Sequence, residues 1–237
     1  MRTVDDNVRA AKQESTRSTI VLVSIIIGMQ VLIGLVSYPF LPALVPLHWN
    51  IAGHVDSYMP KLFNLVFWPV VSLAGFFLIH ALEIIGPRLD EDDQGSRRAR
   101  LAVVERIRIA LMLLMTMLQM ITIAVALGLM VDVPFVVSLL VSLFYIFTGN
   151  YLGKLRRNYW VGIRTPWTLQ NDTVWERTHR LGGWLFVVAG MIGVVASFFP
   201  AERFAGVVGV ILMVVVVLTI YSYLLYRRQV KNHYSWP

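Results

Sequence analysis

Residues 18–38 read "STIVLVSIIIGMQVLIGLVSY", an apolar run without a single charged side chain. A bilayer core about 30 Å thick is crossed by about 20 apolar residues in a helix, so this run has the length of one crossing. Its apolar residues are continuous rather than alternating, which argues against a barrel strand and leaves helix as the spanning form. Five more stretches have the same character: Leu62–Ile85, Ile107–Met130, Val133–Gly149, Gly182–Phe199 and Phe204–Tyr226. The fourth and fifth spans are the shortest, and their polar flanks extend them as helix. The whole chain agrees, with 57% hydrophobic and 15% charged residues among 237 and a mean hydropathy of +0.66. Soluble domains carry about 25% charged residues. The expectation is an all-α, polytopic integral membrane protein with six transmembrane helices.

The first span reads as a retained helix rather than a cleaved signal peptide, being too long for an h-region and lacking an A-x-A-like site after it. The chain has no cysteine, which excludes disulfides, thiolate metal sites and cysteine nucleophiles. Of its 21 lysines and arginines, all but Lys61 and Arg203 fall in the two tails and the two connections that share one side. The positive-inside rule therefore places both termini in the cytoplasm. The organisation that follows is a cytoplasmic tail at 1–17, a helix pair at 18–85 around an outer loop at 39–61, and a charged cytoplasmic loop at 86–106. A four-helix region at 107–226 then encloses an inner loop at 150–181, and a second cytoplasmic tail fills 227–237. A net charge of +7 in such a chain points to anionic lipid headgroups and not to direct contact with nucleic acid.

Both long connections are rich in chemistry. In the outer loop, Pro39, Pro42 and Pro46 forbid a regular helix across the first half. The second half gathers His48, Trp49, Asn50, Gly53, His54, Asp56 and Tyr58. A structured turn with Gly53 at the bend accounts for this, and a recognition surface for an extracellular ligand accounts for it equally. A metal site from His48, His54 and Asp56 is the weakest reading, because their spacing matches no established ligand pattern. In the inner loop, aromatic and basic residues interleave in the manner of a headgroup-level anchor. Thr165-Pro166 reads as an N-cap followed by proline at the first helical position, and Asn171 or Asp172 caps a second helix that runs on into the fifth span.

The wording of these loops carries more than their composition. Residues 162–183, "GIRTPWTLQNDTVWERTHRLGG", closely resemble the signature of the SdpI-like family of bacterial membrane proteins. Residues 41–58, "LPALVPLHWNIAGHVDSY", resemble the small domain of unknown function DUF1648 that precedes it there. The resemblance spans roughly residues 20–225. It implies an immunity protein and receptor of the bacterial plasma membrane, protecting against a secreted membrane-active toxin peptide. It also implies signalling, by holding a cytoplasmic transcriptional repressor at the membrane. The motif positions so marked are Asn158, Tyr159, Gly162, Arg164, Thr165, Pro166, Trp167, Thr168, Trp175, Thr178, His179 and Arg180, with His48, Trp49, Asn50, Gly53, His54 and Asp56 as ligand-binding candidates.

Polar groups inside the spans are functional candidates by default. His80 and Glu83 share one face near the inner end of span 2, where snorkelling or pairing with an arginine also explains them. Gln30 and Gln119 are placed for hydrogen bonds between helices, Pro69 for a kink, and Gly182, Gly183, Gly190 and Gly193 for close packing. A transporter or lipid-handling permease is one alternative function, but no paired midplane charges or inverted repeat are visible. A membrane enzyme is the other. No HExxH, GxSxG or phosphate-cradling loop occurs, so neither catalysis nor a cofactor is expected.

Overall fold

The computed structural model describes the backbone of residues 4–85, 94–159 and 161–234, and within these the side chains of 18–81, 101–159 and 161–230. Six helical segments are long and apolar enough to cross a membrane: Ser18–Phe40, Lys61–Ala81, Leu101–Ala126, Val133–Leu152, Asp172–Ser197 and Ala205–Val230. The chain is a polytopic, predominantly helical membrane protein. Its elements are α1 (Val4–Ser37), β1 (Leu44–Trp49), β2 (Val55–Pro60), α2 (Lys61–Ile85), α3 (Gln94–Ala126), α4 (Val133–Leu152), α5 (Pro166–Gln170), α6 (Asp172–Ser197) and α7 (Val210–Tyr234).

Three boundaries differ from the sequence reading. Helix α1 takes in most of the expected N-terminal tail, and α3 already begins at Gln94, inside the expected charged loop. Their charged first turns project the helices beyond the apolar stretch, which hydropathy cannot register. The outer loop, expected as a structured turn, forms a hairpin in which β1 and β2 pair antiparallel, with Val45 opposite Met59 and Pro46 opposite Tyr58. Pro46 donates no ladder hydrogen bond, and the register is irregular between Pro46 and His48 and between His48 and Trp49.

Two groups of helices result. In the first, Gln30 of α1 donates through Nε2 to Ser72 Oγ of α2 at 2.8 Å and to Thr116 Oγ1 of α3 at 3.0 Å. Gln119 of α3 donates to the backbone carbonyl of Gln30 at 2.9 Å. Near the opposite end of α1, the Thr19 hydroxyl donates to the Glu105 carboxylate. The glutamines thus do the interhelical work their position in the spans predicts. Pro69 sits inside α2, which continues through it.

In the second group α4 and α6 touch backbone to backbone. A Cβ on Gly183 would lie 2.8 Å from the Gly149 carbonyl oxygen, and one on Gly190 would lie 2.6 Å from that of Ser142. Dispersion between closely approaching backbones drives such contacts in lipid, where no hydrophobic effect separates helix from solvent. Helix α7 packs along α6 through Ala189, Val214 and Leu218. The two groups meet where Val103 and Ile107 of α3 pack against Leu152, Leu155 and Trp175.

Gly183→Val should therefore force α4 and α6 apart, an overpacking that costs about 1–3 kcal/mol or more. Gly28 has open space around its Cβ position, so Gly28→Ala should leave the fold intact. Thermal unfolding of both variants in detergent should separate them, with only Gly183→Val losing stability.

Candidate functional site

The inner loop is a compact plug seated on the ends of α4, α6 and α7. Its centre is His179, completely buried. Its Nε2 accepts from the Ile163 N–H at 2.9 Å, and its Nδ1 lies 2.9 Å from the Trp175 carbonyl oxygen one turn back. An acceptor on one side and a donor on the other define a neutral ring carrying its proton on Nδ1. The imidazole stacks on the Trp175 indole with centroids 3.9 Å apart. Trp175, also fully buried, donates through Nε1 to the Leu155 carbonyl at 2.8 Å.

Gly162 is what lets the loop reach the ring. Its φ is +118°, and a Cβ there would lie 2.3 Å from His179 Nε2. No side chain fits that conformation or that space. Upstream, Asn158 closes the turn: its Oδ1 accepts from Val161 N–H at 2.8 Å and its Nδ2 donates to the Arg156 carbonyl at 2.8 Å.

Downstream, Thr165 caps α5 in a reciprocal box with Thr168, and Pro166 takes the first turn as the sequence predicts. Thr168 is buried and also donates to the Ile163 carbonyl at 2.8 Å. Asn171, rather than Asp172, caps α6, accepting from Val174 N–H at 3.0 Å. Asp172 instead pairs with Arg157, which also donates to the Leu169 carbonyl at 2.8 Å. Helix α6 then runs unbroken from the loop into the membrane.

Helix α7 clasps the plug from the other side. Trp167 Nε1 donates to Ser222 Oγ at 2.6 Å, and its ring meets Tyr223 edge-on at 5.3 Å. Tyr226 donates to Gln170 Oε1 at 3.0 Å. Composition does not reveal Ser222, Tyr226 or Arg157. A lone serine in the valine-rich run of α7 is the one signal that marks the clasp.

The motif residues thus divide. Asn158, Thr168, Trp175, Thr178 and His179 are buried. Tyr159, Arg164 and Arg180 are exposed, and Arg164 spends one N–H on the Tyr159 carbonyl at 2.7 Å. On the exposed outer side of α6 Arg180 and Trp184 stand one turn apart, Trp184 being 70% exposed.

At the other end of the molecule the hairpin turns on Asn50. Its Oδ1 accepts from the N–H groups of Ala52 and His54, both at 3.0 Å, and Gly53 adopts φ +83°. This Asx geometry is why asparagine and glycine stand at the bend. The hairpin is anchored by the fully buried Val45, which packs on Leu41 and on Ile123 of α3. A Cβ on Gly53 would lie 2.9 Å from Pro134, so the tip also abuts the start of α4. There Asp132 caps α4 and receives both Arg203 guanidinium N–H groups at 2.9 Å, tying α4 to the α6–α7 turn. Away from the helices His48 Nδ1 lies 2.6 Å from Asp56 Oδ1. His54 does not join them: among the described residues no three His, Cys, Asp or Glu side chains form a metal-binding group.

The end of α2 away from the hairpin holds His80, stacked on Phe76 with centroids 6.0 Å apart. The Glu83 side chain lies outside the described residues. Arg108, one residue into the expected third span, is buried in α3 with its guanidinium 4.6 Å from the Phe76 ring centre. It borders a cavity of about 160 Å³ between α2 and α3, walled mainly by apolar residues such as Val71, Leu111 and Met115.

His179→Leu should strand the Ile163 N–H and the Trp175 stack, lowering stability by about 1–3 kcal/mol. Gly162→Ala should do at least as much, through strain and collision with the ring. Arg180→Ala, on the exposed face, should stay within about 0.5 kcal/mol of the parent chain. Chemical unfolding in mixed micelles checks all three.

Comparison with known proteins places these two regions. The SdpI/YfhL protein family matches residues 154–226, which hold the plug, α6 and most of α7. The domain of unknown function DUF1648 matches residues 25–73, which hold most of the apolar part of α1, the hairpin and the first half of α2. The immunity protein SdpI of Bacillus subtilis (strain 168) is 28% identical over 205 residues, covering 86% of this chain and 94% of that protein. No solved structure matches the chain. Both regions occur in that order, and the chain is similar to the immunity protein SdpI along most of its length.

Proposed function

We propose that this chain is a non-enzymatic immunity protein of a bacterial cytoplasmic membrane, protecting its host against a secreted membrane-active peptide. The observation that carries the reading is the hairpin. A rigid, internally hydrogen-bonded element stands at one membrane face and presents His48, Asp56, Tyr58 and Ile51 outward, Ile51 being 78% exposed. Such a surface offers an amphipathic peptide both an apolar contact and polar partners, with little ordering cost on the protein's side. Similarity to a protein named for immunity supports the same reading.

The hairpin faces outward and both termini lie in the cytoplasm, in keeping with the basic residues gathered at the opposite end. There the exposed Arg164, Arg180 and Trp184 rest among anionic headgroups, while the plug holds α6 and α7 in register. A transcriptional repressor is held on this face when the hairpin is engaged. A bound peptide shifts the protein between states only by its difference in affinity for them. The contact of Val45 with Ile123 of α3, and of α3 with Trp175, is the packed route between the two faces.

Two measurements test the reading. The chain has no cysteine, so Ile51→Cys and Arg228→Cys each carry a single thiol. A membrane-impermeant maleimide added to whole cells should label the first and spare the second until the cells are lysed. For immunity, a toxin-sensitive bacterium expressing the chain should survive a secreted peptide of this type. His48→Ala and Asp56→Ala, matched for membrane level, should reduce survival. Full protection by both would remove recognition from the hairpin's polar face, and no protection by the parent chain would remove the immunity function.

A further inference from the structure

Two glutamine side chains deep in the first helix group are completely buried, Gln30 of α1 and Gln119 of α3. They adjoin, since Gln119 Nε2 donates to the Gln30 backbone carbonyl at 2.9 Å. The amide nitrogens of both are used, but Gln30 Oε1 and Gln119 Oε1 have no protein hydrogen-bond partner. Turning either amide over does not cure this. Thr116 Oγ1 commits its one hydrogen to the Met112 carbonyl at 2.9 Å, so toward Gln30 it can only accept. Gln119 Nε2 faces a carbonyl and is fixed in the same way. Both orphan atoms are therefore acceptors, and the hydrocarbon around the bundle supplies no donor.

We propose that the carbonyl oxygens of Gln30 and Gln119 form a buried hydration site, holding at least one ordered water between α1 and α3 in the middle of the membrane. The ligand must donate hydrogens or carry positive charge, which leaves water or a small cation. The partners in contact decide between them. Ser72, Thr116 and the two amides are neutral, and the nearest described carboxylate on α3, Glu105, lies about 21 Å away along the helix. A cation would be buried with no counter-charge, whereas water is neutral and has two hydrogens for two acceptors. Asn64, whose Nδ2 is likewise without a protein partner, lies about 12 Å along α2 from Ser72 and is a separate position.

The site makes the α1–α3 contact wet at a depth where the surrounding lipid is dry. Water-edited solid-state NMR of the full chain in phospholipid bilayers reads this directly. The side-chain amide signals of Gln30 and Gln119 should receive polarisation from water at mixing times that leave Ile27 and Leu118 methyl signals dark. Gln119→Met should abolish or slow the transfer at Gln30. Ser72→Ala, which leaves both orphan oxygens in place, should retain it. Absence of transfer at both amides of the parent chain overturns the proposal without any variant. Amide signals that move when choline in the buffer is replaced by sodium would also overturn it, in favour of a bound cation.

Discussion

The imidazole of His179 is the joint on which the signature loop and the ends of α4, α6 and α7 depend. It accepts from the incoming loop at Ile163, and it is locked in place by its own helix through Trp175. A buried loop cannot leave its N–H and carbonyl groups unpaired. The plug solves this by lending side-chain acceptors to its own backbone N–H groups, from Asn158, Thr165, Thr168, Asn171 and His179. Gly162 follows from the ring, because nothing with a Cβ could bring Ile163 to it. The arrangement of α6 and α7 follows from the plug, through Trp167, Ser222 and Gln170.

This explains why the polar and aromatic residues of the 162–183 signature persist in so apolar a chain. The most distinctive of them face inward. Their chemistry is that of a small polar and aromatic core at the ends of α4, α6 and α7, where two tryptophans find hydrogen-bond partners for their ring nitrogens. The arginines around them are split between structure and surface: Arg157 ties the loop to the start of α6, and Arg180 stays outside. The hairpin at the other face has the opposite character, with a buried anchor at Val45 and its polar side chains outward.

Much of this was legible in the sequence, for definable reasons. Six crossings follow from apolar length alone, and the caps at Thr165 and Asn171 follow from residue chemistry at helix starts. The interhelical roles of Gln30 and Gln119, and the close approach at Gly183 and Gly190, follow from what lipid withholds. The hairpin was hidden because three prolines and an asparagine turn signal loop before strand, and its alternation is broken by irregular register. The burial of Arg108 was hidden because an arginine near a span end reads as snorkelling to the surface until a ring such as Phe76 is found beside it. The Trp167–Ser222 and Arg203–Asp132 links join residues 55 and 71 positions apart, and no local pattern announces such pairs.

The central claim, that the signature loop is an internally satisfied seat centred on a neutral histidine, is tested most directly by ¹⁵N NMR of His179 in bilayers. A ring protonated on Nδ1 alone, with Nε2 coupled to the Ile163 amide across a hydrogen bond, is the result the structure requires. An imidazolium, or a ring protonated on Nε2 with no coupling to Ile163, would contradict it.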